Sequence, residues 1–212
     1  MKPPIKDYIQ KDYPNGHISQ WFGENVELYK QIPGLTKGHN GIDIVAPYGT
    51  PILATTTQTI VEVKNSPTGY GRHIKAIDDK YEYTYGHLSR IDVEIGNVVS
   101  QGTEIGKMGN SGFVVSGATP YWKYNPYAGT HLHFGIREFV KRKGTEPYNI
   151  QYANGIQGTI VNYDNGFLGS IDPAPLIEWD NSQEIRQMQL TIISLANQVI
   201  ALLNGLLRLG KQ

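Results

Sequence analysis

The sequence predicts a mainly β, antiparallel fold followed by a C-terminal α-helix, and three observations carry that expectation. Short β-branched and aromatic runs alternate with Gly, Asn and Pro as far as about Gly144. No stretch of useful length with a helical period precedes Ser182. From there to the end the chain is Gly-poor and apolar at helical spacing. In order, the strand candidates are Thr-Ile-Val-Glu-Val (59–63), His-Ile-Lys-Ala-Ile (73–77), Tyr-Glu-Tyr-Thr-Tyr (81–85) and Leu-His-Phe-Gly-Ile (132–136). Asp78 and Asp79 mark the hairpin turn between the second and third, and Gly69 to Gly71 offer the backbone freedom of another turn.

The chain divides by composition into a domain over 1–180, with its core at 15–140, and a helix over 181–212. Residues 144–170 read as irregular, with no role visible in them. In the helix, Ile185, Met188, Ile192, Leu195, Val199, Leu202, Leu206 and Leu209 alternate steps of three and four, a heptad seam that predicts a homo-oligomer. Packing of this helix against the β domain is the alternative. A membrane span is not expected, because Asn197, Gln198, Asn204 and Arg208 interrupt the apolar run.

Lysines and arginines balance aspartates and glutamates, 19 against 19, so there is no basic field to hold nucleic acid. The chain has no cysteine, which excludes disulfides, thiolate nucleophiles and thiolate metal sites; any metal must be held by His, Asp or Glu. The opening MKPPIKDYIQ lacks the apolar core of a secretory signal, so removal of a signal, another route out of the cell, or a cytosolic life all stay open.

Chemistry concentrates in three blocks. In GTHLHFGIRE (129–138), strand periodicity puts His131 and His133 on one face and Leu132, Phe134 and Ile136 on the other. Both imidazoles then project over an apolar floor, and spacing alone leaves open which of them holds a metal. In KGHNGIDIVAPYGTPILA (37–54), His39 and Asp43 are four apart, on one face if the segment is extended. Gly38 and Gly41 allow a tight turn beside a bound ion, and Ala46 to Pro51 read as a loop launching a strand. The third block, YTYGHLSRIDVEIGNVVSQGTEIGKMGNSG (83–112), contributes His87 directly after a strand.

These blocks, in this order from about Ile18 to Glu138, resemble the lysostaphin-type zinc metallopeptidases, and Ile171 to Pro175 resembles the segment that closes that domain. The resemblance implies a β-sheet domain with a groove and Zn2+ held by His39, Asp43 and His133. It also implies His131 and His87 as catalytic histidines. Three N/O ligands leave a fourth position for water, so the implied reaction is hydrolysis of peptide bonds in peptidoglycan stem peptides or cross-bridges. Zinc-bound water attacks, His131 acts as general base, and His87 donates to the oxyanion. The implied partner is bacterial peptidoglycan, and the implied setting is the bacterial cell wall, reached from a phage virion or the extracellular space. A non-catalytic scaffold or virion tail hub with the same fold is the alternative.

The chain departs from the family in a longer segment, 113–130, where Tyr121, Trp122, Tyr124 and Tyr127 are candidate substrate-binding residues. Packing of that loop by its own aromatics is the competing reading. His17 and His73 fit no part of this pattern, and His73 is expected to face solvent or a turn.

Overall fold

The computed structural model describes residues 1–6, 17–116, 119–120, 123, 125–141, 148–179, 191–196 and 198–199. The chain forms two compact units, Met1–Trp179 and Asp180–Gln212.

The first unit is antiparallel β, as expected. Its main sheet runs in the order β1 (His17–Gln20), β2 (Ile42–Val45), β12 (Leu132–Val140), β6 (Tyr81–Gly86), β5 (Arg72–Ile77), β4 (Gln58–Asn65), β8 (Val98–Val99). A second small sheet orders β3 (Pro51–Leu53), β9 (Glu104–Met108) and β7 (Leu88–Ile91). All four expected strands form, and the β5 to β6 turn closes as Asp78 Oδ1 accepts the backbone N–H groups of Lys80 and Tyr81, both at 2.8 Å.

Strand β12 is the axis of the sheet. Alternation buries Leu132, Phe134 and Ile136 at 0% exposure in the main core with Ile42, Ile44, Tyr83 and Tyr85. Its register sets His133 opposite Asp43 of β2 on one side and opposite Gly86 of β6 on the other. The core extends beyond 15–140. Ile5 is buried within it, and the Met1 ammonium donates to Leu176 O at 2.9 Å, tying the first residues to a 3-10 turn at Ala174–Leu176 in the closing segment.

Residues 148–170, the described part of the stretch read as irregular, are more regular than the sequence suggests. They include β13 (Asn149–Gln151) and β14 (Gln157–Ile160), a hairpin whose second strand pairs with Phe139 and Val140 at the far end of β12. A further short strand, β15 (Ser170–Ile171), pairs with Ile136 and Arg137. Runs of two to four residues are too short for a period to show. The hairpin covers a second cluster of Val61, Ile77, Phe139, Tyr152 and Ile160. Beneath it lies a buried charge pair: Arg137 Nε donates to Glu82 Oε1 at 2.8 Å, and the Tyr152 hydroxyl donates to Glu82 Oε2.

In the second unit, residues 191–196 and 198–199 are helical. Ile192, Leu195 and Val199 of the heptad are exposed, at 65%, 55% and 53%; Ile185, Met188, Leu202, Leu206 and Leu209 lie outside the described residues. Among the described residues no helix is long and apolar enough to cross a membrane.

Glu82 has 0% side-chain exposure, so removing its partner strands a charge. Arg137→Met is expected to lower unfolding free energy by about 3 kcal/mol. Arg137→Met with Glu82→Gln is expected to recover part of it, as read from urea denaturation curves.

Candidate active site

His39, Asp43 and His133 converge although no two of them are adjacent in the chain. His39 Nε2 lies 2.9 Å from His133 Nδ1 and 3.2 Å from Asp43 Oδ1, and His133 Nδ1 is 3.2 Å from the same oxygen. The extended segment expected for His39 to Asp43 is not what forms. Four residues of strand separate two groups by about 13 Å, so the short contact requires the bend at Asn40 and Gly41 that precedes β2. Glycine is obligatory in that bend: a Cβ at Gly41 would meet Phe134 O at 2.6 Å and His133 Cε1 at 2.7 Å.

The three donor atoms fit a tetrahedral cation. An ion bonded at about 2.0–2.1 Å holds neighbouring ligands about 3.3 Å apart, close to the observed triangle. His39 Nδ1–H donates to Trp21 O at 3.3 Å, which turns the Nε2 lone pair inward. All three residues are buried, and among the described residues they form the one group of His and acidic side chains with metal-ligating spacing. Burial alone raises the Asp43 carboxyl, but His131 and the hydrogen bonds from His133 and His39 hold it well below the usual carboxylate range. Burial pushes His133 down to about 4, so its ring is neutral and available as a ligand at pH 7.

His131 and His87 sit beside this triad, with ring centroids 4.6 Å apart. His131 Nδ1 is 2.7 Å from Gly129 O, and His87 Nδ1 is 2.7 Å from Ser111 O. A carbonyl only accepts, so each Nδ1 carries hydrogen and each neutral ring keeps Nε2 as an acceptor. His131 Nε2 faces Asp43 Oδ2 across 3.7 Å. His87 stands at the left-handed φ of 61° just past β6. Burial, then His131 and His133, hold its pKa well below the ordinary imidazole value. Neutral His87 can accept, and it donates from Nε2 only after taking up a proton.

Both histidines line a groove of about 1030 Å³ that also exposes Asp43 and His133. Leu28, Tyr29, Ile32, Tyr48, Phe113 and Tyr127 also line it. Of the aromatic candidates, Tyr127 is exposed and meets Tyr48 edge-to-face at 5.0 Å, while Tyr121, Trp122 and Tyr124 lie outside the described residues. Tyr29 and Tyr48 escaped the sequence reading. Tyr48 stood inside a stretch taken for a loop, and Tyr29 belongs to the four-residue helix α1 (Val26–Tyr29), too short to leave a period. Burial, then the Asp43 carboxylate, raise the Tyr29 hydroxyl above its usual range.

His73 corrects half of an expectation: it is buried rather than facing solvent, and it packs against the turn at Gly69 to Gly71. Its strand lies inside the sheet, and the Tyr70 ring covers it at 5.7 Å. His73 Nδ1 contacts Gly71 O at 2.9 Å and Nε2 contacts Glu62 Oε1 at 3.0 Å.

The fold and the site together define an antiparallel β-sheet protein with a candidate transition-metal centre opening on a groove. A family model described as peptidase family M23 matches residues 37–149, over half of the chain, and the chain belongs to that family. It is 34% identical to lysostaphin of Staphylococcus simulans over 175 residues, covering 79% of this chain and 31% of that protein. It is 33% identical to the peptidoglycan DD-endopeptidase ShyA of Vibrio cholerae over 116 residues, covering 55% of this chain and 23% of that one. The chain therefore spans about a quarter to a third of the length of these relatives. Among solved structures, the catalytic domain of lysostaphin from Staphylococcus simulans is similar at a TM-score of 0.46 and 23% identity, covering 68% of this chain and 82% of that one.

The Glu62 and His73 pair yields a pH dependence. Burial raises Glu62, but His73, Lys75 and Lys64 outweigh it and bring the carboxyl from 4.5 to about 2. A depressed folded pKa contributes stability that is present above about pH 4.5 and lost as pH falls towards 2. Between pH 6 and pH 3, Glu62→Gln is expected to lose less unfolding free energy than the parent protein, by on the order of 1–2 kcal/mol after solvent screening.

Proposed function

We propose that the protein is a zinc endopeptidase that hydrolyses peptide bonds in bacterial peptidoglycan. The observation that carries the proposal is the buried His39, Asp43 and His133 triangle exposed to a groove that also presents His131 and His87. Membership of peptidase family M23 and likeness to lysostaphin and to the peptidoglycan DD-endopeptidase ShyA support it.

In this reading His39 Nε2, His133 Nδ1 and Asp43 Oδ1 hold the metal. When bound, zinc supplies a Lewis acid that polarises a carbonyl and lowers the pKa of water towards about 7. His131, its Nδ1–H committed to Gly129 O, keeps an Nε2 lone pair that takes the proton of the attacking water and returns it to the leaving amine. His87 is the second catalytic histidine; neutral at rest, it donates to the oxyanion only after taking a proton from solvent in the groove, a protonation that the developing negative charge favours. Tyr29, Tyr48 and Tyr127, which line the groove, contact the bound peptide.

The complete ligand set and the two further histidines favour an enzyme over a metal-free scaffold. A virion tail hub that keeps its activity is compatible with the same chemistry. The exposed Ile192, Leu195 and Val199 support a C-terminal helix that assembles copies of the chain, whether at the wall or in a virion.

Metal analysis of purified protein is expected to find one zinc per chain, absent from His39→Ala, Asp43→Ala and His133→Ala. His131→Ala and His87→Ala are expected to retain the metal and to release muropeptides at least about a hundredfold more slowly. Mass spectrometry of the digests reads both the rate and the bond cut, glycine bridge or D-alanyl cross-link. Full zinc occupancy in the first three variants overturns the ligand set.

Light scattering is expected to show an oligomer for the full chain, lost in a chain ending near residue 180 that still digests wall. A monomeric full chain refutes the oligomerising role.

A further inference from the structure

His133 differs from a typical metal-ligating histidine in one respect. Such rings donate their second N–H to a carboxylate, carbonyl or water, which fixes the tautomer and the orientation. Among the described residues, His133 Nε2 is buried and has no hydrogen-bond partner. Its edge is walled by backbone: a Cβ at Gly41 would lie 2.9 Å from Nε2, and one at Gly135 3.4 Å from it. Something else must orient the ring.

Tyr70 stacks on His133 with centroids 4.8 Å apart and planes inclined by 30°. Its hydroxyl accepts from Asn40 Nδ2 at 2.8 Å; Asn40 is buried and directly follows His39. Its carbonyl accepts from the His87 N–H at 2.8 Å. One residue thus touches the ring of one candidate ligand, the neighbour of another, and the backbone of a candidate catalytic histidine.

The backbone around Tyr70 is built to hold it there. Gly69 and Gly71 take left-handed φ values of 57° and 64°, and a Cβ at Gly71 would lie 2.4 Å from Ser111 O. Phe113 N–H donates to Gly69 O at 2.9 Å, and Arg72 N–H donates to Ser111 Oγ at 2.8 Å. Gly86 leaves the space in which the two rings meet, since a Cβ there would lie 3.2 Å from His133 Cβ and 3.4 Å from Tyr70 Cβ.

We infer that Tyr70, tethered by Asn40, is the positioning residue of the metal centre, holding the His133 ring by stacking where a hydrogen bond at Nε2 is missing. The inference rests on the zinc reading proposed above. Its sequence signal was present in Gly69-Tyr70-Gly71, which read only as a turn.

The test measures metal affinity, not turnover. Zinc dissociation constants are determined by competition with a chromophoric chelator for the parent protein, Tyr70→Leu, Tyr70→Phe and Tyr70→Met. Cobalt-substituted spectra and thermal melts of the metal-free forms accompany them. Tyr70→Leu is expected to weaken zinc by about 10–100-fold and to alter the cobalt absorption while the metal-free protein stays folded. Tyr70→Phe keeps the stack and is expected to stay within about fivefold, less than the loss in the leucine variant. Zinc binding by Tyr70→Leu within twofold of the parent overturns the inference. If that variant does not fold, Tyr70→Met, which fills the space without an aromatic face, decides: zinc at least about tenfold weaker in a folded protein supports the stack, and affinity within twofold of the parent overturns the inference. A parent protein that binds no zinc removes the metal reading and this inference together, whereas a tight parent with unaltered variants removes this inference alone.

Discussion

The register of β12 between β2 and β6 is the constraint on which the candidate site depends. It sets His133 level with Asp43 and Gly86, and a slip of one residue would turn His133 into the core and Leu132 or Phe134 into the groove. Burial of Leu132, Phe134 and Ile136 on the opposite face resists that slip. At roughly 1.5–3 kcal/mol for each apolar side chain, the core secures a geometry that the polar residues could not secure for themselves.

Without a cation, hydrogen bonds from the neighbouring rings hold the Asp43 carboxylate. His39 Nε2 and His133 Nδ1 face each other at 2.9 Å beside it, all with little access to water. A ring nitrogen must give up its hydrogen to become a ligand, so a bound cation would compete with protons for the same three atoms. Metal binding and folding are coupled by such an arrangement. The groove beside it is lined by exposed apolar groups, Leu28, Ile32, Tyr48, Phe113 and Tyr127, while the charge pair of Glu82 and Arg137 is buried beside the β13 to β14 hairpin.

How much of this was legible in the sequence depended on the range of each interaction. The strand candidates emerged because alternation along β4, β5, β6 and β12 is local. The convergence of His39, Asp43 and His133 did not follow from spacing, because the bend at Gly41 defeats the strand geometry that an interval of four suggests. Which of His131 and His133 belongs to the triad came from resemblance, not from periodicity. His73 was misread because its burial comes from Tyr70, a residue on the neighbouring turn that no pattern in β5 reveals. The hairpin of residues 149–160 stayed hidden because its strands are shorter than the repeat by which strands are recognised.

Two glycines of one block show two different reasons for having no side chain. Gly49, at φ 84°, faces open space, so an L-residue there is opposed by backbone chirality alone. Gly41 carries no such left-handed angle, and it is opposed by crowding against Phe134 O and the His133 ring. Protein synthesised chemically could separate the two. A D-alanine in place of Gly49 has the handedness that its backbone torsion asks for. At Gly41 an L-alanine fails for want of room whatever its torsion angles. The loop before β3 thus resists an L-residue through its torsion angle, while the bend beneath the triad resists an added methyl on that side through crowding.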